Sequence, residues 1–119
     1  MSAPARMTST RHDTSGVLKD ALAALLASGE QLRARATTIA LPTDVASFRA
    51  EHRAWVLGCL PVLSRGFEPE SVSEFLHVNG RFPQRVAPPM AERAAVAVVH
   101  DALDLLRGLR STLERDPHR

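Results

Sequence analysis

Apolar residues with helical spacing constrain this chain more than any other feature. In its last third they recur every three or four positions along one line, which comprises Ala91, Ala95, Val98, Ala102, Leu105 and Leu109. Residues with this spacing lie on one face of an α-helix, whereas a half-buried strand alternates with a period of two. A parallel line beside it broadens the apolar face. The pattern therefore predicts a long helix from about Met90 to Leu113, with Pro89 as its first residue.

A second line of this kind runs from Ser15 to Ile39. Its members are alternately four and three residues apart: Leu18, Leu22, Leu25, Gly29, Leu32, Ala36 and Ile39. This is a heptad seam, which is typical both of coiled coils and of long helices in antiparallel bundles. The small residues Gly29 and Ala36 would let a second backbone approach closely. The seam leaves open whether the partner helix belongs to the same chain or to another.

A third line defines a second helix, which begins after Pro42, with Thr43 or Asp44 as its cap. Its apolar members are Val45, Phe48, His52, Trp55, Cys59 and Val62. We interpret His52 as a hydrogen-bonded histidine of the core or its boundary rather than a catalytic base, and Cys59 as core packing. Pro61 predicts either a kink or an end near Leu60.

A short third helix follows. The segment Ser71-Val72-Ser73-Glu74 has the spacing of a capping box, and Val72, Phe75 and Leu76 are the residues that this helix would bury. Asn79-Gly80 should end it, because both residues tolerate the left-handed conformation.

Length and composition agree with a small helical domain. The chain has 119 residues, of which 4% are aromatic, and strand-rich folds usually need more aromatic and β-branched residues. We therefore predict an all-α fold, a compact four-helix bundle of three longer helices and one short helix. The domain should span residues 15–115, with a mobile tail over 1–14 and a frayed end over 116–119.

Charge and cysteine content exclude several classes of site. Lys19 is the only lysine among fifteen basic residues, so the high pI of 9.5 reflects arginine usage, which is typical of a high-GC bacterial source. The arginines are dispersed, and a nucleic-acid partner is therefore not favoured. Cys59 alone cannot form an intrachain disulfide, and no histidine pair has the spacing of a zinc site. We expect no cofactor, no metal, no membrane span and a cytoplasmic location.

Four polar residues of the last helix form the first candidate site. Arg93, His100, Asp104 and Arg107 are seven, four and three positions apart, so they share one face. Arg93 could stabilise charge on a phosphodiester while His100 moves a proton. The favoured interpretation is instead a solvated stripe of intrahelical ion pairs, His100 with Asp104 and Asp104 with Arg107.

The spacing Arg93-x6-His100 resembles the Arg-x4-6-His motif of HEPN ribonucleases. The resemblance covers two residues and a small helical architecture, and Ala94 stands where a polar residue is common in that family. It implies metal-independent RNA cleavage at a dimer interface by Arg93 and His100. Asp104, one turn after His100, is the third member of this alternative catalytic set because of its position beside the histidine.

The second candidate site is the connection between residues 79 and 89. We expect this connection to contact a protein partner, because arginine and phenylalanine are good interface anchors. The candidate residues are Arg81, Phe82 and Arg85, together with Met90 just after the connection. The alternative is that Phe82 folds down onto the bundle.

A further pattern combines Phe48, Trp55 and Leu63 with Phe67-x3-Ser71-x3-Phe75. It resembles helical segments of bacterial antiphage effector proteins that precede or follow a catalytic domain. The resemblance covers about a quarter of the chain and implies a non-catalytic helical part.

These observations together favour a non-enzymatic interaction or adaptor module of a bacterial conflict or regulatory system. It would form a homodimer or dock on a protein partner through the first helix, the 79–89 connection or the Ala-rich face of the last helix. The alternative function is the HEPN-like ribonuclease.

Overall fold

The computed structural model describes residues 3–115, with side chains from residue 16 onward. It contains four helices: α1 (Ala3–Ala36), α2 (Pro42–Gly66), α3 (Pro69–Asn79) and α4 (Pro88–Arg115). No strand occurs within residues 3–115, so the predicted all-α fold is confirmed. The structure describes neither residues 1–2 nor the side chains of residues 3–15, so the predicted mobility of the 1–14 tail stays a prediction. The predicted frayed end over 116–119 lies outside the described residues.

The three longer helices pack side by side. On α1, Gly29 faces Leu103 of α4 and Trp55 of α2, while Gly66 near the end of α2 faces Leu18. These two contacts with α2 make α1 antiparallel to it. On α4, Arg107 pairs with Glu30 while Arg93 lies near Thr37, so α1 is antiparallel to α4 as well. The shorter helix α3 packs against α2 and α4. The heptad seam of α1 thus meets helices of its own chain.

The buried core follows the predicted lines closely. The buried residues of α1 include Leu22, Leu32 and Ala36. On α2, five of the six residues of the predicted line are buried, and the sixth, Val62, is partly buried. On α4 the fully buried residues include Ala91 and Ala95, whereas Ala94 is partly buried and Ala97 is exposed. One side of the Ala-rich segment therefore packs in the core, and its role in association stays a prediction. Alanine suits this position because helices can approach closely over it.

Gly29 has a role that differs from the expected one. A Cβ atom at this position would lie 2.5 Å from Leu103 Cδ2 and 2.8 Å from Trp55 Cζ2. The glycine therefore admits two side chains rather than a second backbone. It also lets the indole Nε1 of Trp55 donate to the Leu25 carbonyl at 3.1 Å, which fixes the ring on α1.

Pro61 does not break α2, which continues to Gly66. Proline removes one N–H, so the Leu57 carbonyl lacks its usual donor four residues later. Both residues are exposed, and water can therefore satisfy this carbonyl. The predicted end near Leu60 is wrong for this reason.

Two predicted helix boundaries also need correction. The capping box at Ser71 is not used, because α3 begins earlier, at Pro69, whose fixed φ suits a first helical position. The helix does end at Asn79, but Gly80 has φ −75°, so no left-handed residue is involved.

At the start of α2, the Asp44 carboxylate accepts backbone N–H bonds from Ala40 and Leu41. These bonds lower the pKa of the Asp44 carboxyl.

No described helix has a long enough apolar stretch to cross a membrane.

Candidate functional site

A buried polar pair connects α2 to the end of α3. The Nε2 atom of His52 lies 2.8 Å from Oδ1 of Asn79, and the amide of Asn79 donates to the Phe75 carbonyl at 2.7 Å. Because Oδ1 can only accept, the Nε2–H of His52 is the donor. The prediction that His52 is a hydrogen-bonded core histidine agrees with this geometry.

Burial changes the acidity of two groups on α2. Desolvation lowers the pKa of His52 below its ordinary value of 6.5; the bond to Asn79 opposes this shift, and the nearby Arg49 adds to it. Desolvation also raises the pKa of the Cys59 thiol to about 12. Neither group is suited to act as a charged catalyst near neutral pH, and Cys59 packs in the core as expected.

Phe82 is buried, which decides between the two interpretations of the connection that contains it. Its ring packs edge-on against Phe48, with centroids 5.4 Å apart, and the Arg49 guanidinium lies 4.6 Å from its centre. Arg49 also donates to the carbonyls of Pro83 and Gln84. The expectation that Phe82 could serve as an exposed anchor is therefore wrong, because it closes the core beneath the connection.

The other three residues predicted for this site are exposed. Arg81 lies 3.7 Å from Asp101 of α4, and its side chain is 55% exposed. Arg85 is exposed in the same connection, and Met90 is 66% exposed in the first turn of α4. These side chains are accessible to a partner, and their role in binding stays a prediction.

An apolar groove between α2 and α3 was not predicted from the sequence. We call it the α2–α3 groove; it is lined by His52, Arg53, Val56, Leu57, Leu76, Asn79 and Gly80. Leu57 and Leu76 on its walls are 56% and 44% exposed. The prediction that α3 buries Leu76 is therefore wrong, because its neighbour Asn79 occupies the contact with α2. The sequence does contain one signal for this groove: Leu57 is a large apolar residue that does not belong to the predicted buried line of α2.

A second, shallow groove lies between α1 and α4, and it brings together two residues of the predicted catalytic set. Arg93 and His100 both line it, with Arg33 and Thr37 of α1 opposite and Val96 among the lining residues. Arg93 makes no ion pair with any side chain that the structure describes. We call this the α1–α4 groove.

Asp104 and Arg107 lie beside this groove in a chain of ion pairs. Asp104 contacts His100 at 3.3 Å and Arg107 at 3.2 Å, and Arg107 also pairs with Glu30 of α1. Glu30 in turn contacts Arg33 at 2.6 Å. The predicted intrahelical pairs of α4 are present. The contact with α1 was not predicted, because it depends on how the two helices are juxtaposed.

The residues that suggested a resemblance to antiphage effectors are largely structural. Phe48, Trp55, Leu63 and Phe75 are buried where α2 meets its neighbours, while Phe67 and Ser71 are partly buried. Among the side chains described, no three His, Cys, Asp or Glu residues cluster as a metal site would require.

Comparisons with known proteins yield no relative of this chain. No protein-family model matches it, and neither the curated proteins nor the solved structures contain a significant match.

Proposed function

We propose that this protein is a non-enzymatic interaction module that docks a protein partner at the α2–α3 groove. The observation that carries the proposal is the pair Leu57 and Leu76, two large exposed side chains on the walls of one apolar groove. Scattered exposed apolar residues are ordinary, but exposed apolar residues that converge on a concave site are typical of interfaces.

The outward face of α2 supports this proposal because it is poor in charge. Between residues 46 and 64 the exposed positions are Ala46, Ser47, Ala50, Arg53, Ala54, Leu57, Gly58, Pro61 and Ser64. Arg53 is the only charged member, and the centres of interfaces are depleted of charge. Pro61 also leaves the Leu57 carbonyl free to accept a hydrogen bond from a partner.

A role in a bacterial conflict or regulatory system, as an adaptor or a homodimer, fits a small module of this kind and belongs to the same proposal. It rests on the resemblance of the aromatic pattern and on the arginine-rich composition.

Affinity capture with matched variants tests docking. The wild-type protein is used as bait beside Leu57→Asp and the control Val17→Asp, which alters a similarly exposed apolar residue of α1. We expect one protein, or a second copy of the chain, to be retained by wild type and by the control but lost with Leu57→Asp. Capture that is indifferent to the change at Leu57 would contradict the proposal.

A second candidate function is RNA cleavage at the α1–α4 groove. The specific observation in its favour is that Arg93 and His100 are both exposed and line the same groove. Asp104 can orient the His100 ring through Nε2, which leaves Nδ1 for proton transfer, while Arg93 can contact a phosphate. No step would need a metal ion.

The ribonuclease candidate is tested with purified protein and single-stranded RNA. Cleavage that His100→Ala and Arg93→Ala both abolish, and that the control His77→Ala retains, would support it. Activity that is absent in wild type, or unchanged in the two variants, would exclude it.

A further inference from the structure

We infer that the partner of the α2–α3 groove is an acidic helical segment, which places one large apolar side chain in the groove and carboxylates around it. This inference rests on the proposed docking function and specifies the chemistry of the partner.

The size of the groove fits a single anchor residue. Its volume is about 250 Å³, which is smaller than typical sites for small-molecule ligands. A pocket of this kind suits one leucine or phenylalanine of a partner, and such anchors contribute most of the energy of many interfaces. The exposed side chains of Leu57 and Leu76 would then be covered on either side of the anchor.

The charges at one end of the groove select an acidic partner. Arg53 lines the groove together with Gly80, and Arg81 follows Gly80 directly. Arg49, one turn before Arg53, holds the carbonyl groups of Pro83 and Gln84, so the exposed Arg85 belongs to the same end of the molecule.

Asp101 is the only carboxylate paired with any of these exposed arginines in the described part of the chain. Arg53 and Arg85 make no ion pair with any described side chain. The local excess of positive charge would attract carboxylates on a partner and repel a basic one.

The position of the aromatic rings favours a peptide over nucleic acid. Single-stranded nucleic acids are commonly held by exposed aromatic side chains on which bases stack. Here Phe82, which directly follows Arg81, and Phe48, which packs against it, are 5% and 3% exposed, and Trp55, two residues after Arg53, is 9% exposed. The exposed surface beside the arginines is aliphatic, and it therefore matches the apolar face of a helix.

The test is a titration of the ¹⁵N-labelled protein, followed by amide chemical shifts, with three probes. The first is a designed helical peptide with leucines on one face and glutamates on the other. The second has lysine in place of every glutamate, and the third is a single-stranded RNA. We expect the acidic peptide to shift amides around residues 53–57 and 76–81, and to bind at least about fivefold more tightly than the basic peptide.

Charge reversal gives a second readout. Arg53→Glu should abolish the preference for the acidic peptide, whereas Lys19→Glu, which makes the same change of charge on α1, should retain it. Circular dichroism of each variant confirms that the fold is intact. Raising the salt concentration should weaken binding of the acidic peptide more than binding of the basic one.

Three outcomes would overturn the inference. Equal binding of both peptides at the groove would leave docking intact but refute the acidic chemistry. Shifts caused by RNA alone would assign the arginines to nucleic acid. Absence of any shift at the groove at millimolar peptide would refute an acidic helical partner, while affinity capture would still decide separately whether the groove docks a protein.

Discussion

Replacing Gly29 with alanine should destabilise the protein, although alanine is the better helix former. The new methyl group would lie 2.5 Å from Leu103 and 2.8 Å from Trp55. Neither side chain is free to move away, because Leu103 is fully buried and the indole of Trp55 is bonded to the Leu25 carbonyl. Overfilling a packed core by one methylene costs about 1–3 kcal/mol.

The gain in helix propensity opposes this cost. Replacing glycine by alanine inside a helix contributes about 1 kcal/mol, so Gly29→Ala should lower the free energy of unfolding by about 0–2 kcal/mol. Gly108→Ala is the matched control, since Gly108 is exposed in α4 and its added Cβ would meet no atom within 4 Å. The control should raise the free energy of unfolding by about 0.5–1 kcal/mol.

Urea denaturation followed by the fluorescence of Trp55, the single tryptophan, and by helical circular dichroism measures both variants. The difference between them isolates the packing cost, because the propensity gain is common to both. We expect a gap of about 1–3 kcal/mol. Equal stabilisation by the two substitutions would refute the packing of Trp55 and Leu103 against Gly29.

Three further predictions concern Cys59, His52 and Arg49. Cys59 should resist alkylation in the native protein and react only on unfolding, because it is buried and its pKa is raised to about 12; rapid labelling without denaturant would contradict this. The folded pKa of His52 lies below 6.5, so its contribution to stability is full above pH 6.5 and is lost as the pH falls toward the folded value. Denaturation at several pH values should show this loss in wild type and in His77→Gln but a flatter profile in His52→Gln. Arg49→Ala should increase backbone hydrogen exchange in residues 82–85, because it removes the hydrogen bonds to the Pro83 and Gln84 carbonyls. Unchanged exchange would show that these bonds do not hold the connection in place.

Helices and their buried faces could be predicted because periodicity is a local property of the sequence. The lines through Leu22, Phe48 and Ala95 are buried as expected. Helix boundaries were less predictable, since Pro61 is tolerated where its helix faces solvent, and α3 begins at a proline before the Ser71 capping box. Both results depend on solvent and packing around the helix rather than on the local sequence.

The candidate site could be predicted only in part for the same reason. The pairing of His100 with Asp104 follows from sequence spacing, and the exposure of Arg81 follows from its position in a connection between two helices. Burial of Phe82 does not, because it depends on Arg49 and Phe48, which are more than thirty residues away along the chain. The groove between Leu57 and Leu76 likewise exists only where two helices meet.

Photo-crosslinking at the α2–α3 groove tests the central proposal most directly. The photoreactive residue p-benzoylphenylalanine is placed at position 57 in the groove, and at position 17 on α1 as the control, in cells that produce the protein naturally. The proposed docking function predicts a discrete protein adduct at position 57, identified by mass spectrometry, and none at position 17. Absence of an adduct at position 57, or the same adducts at both positions, would contradict it.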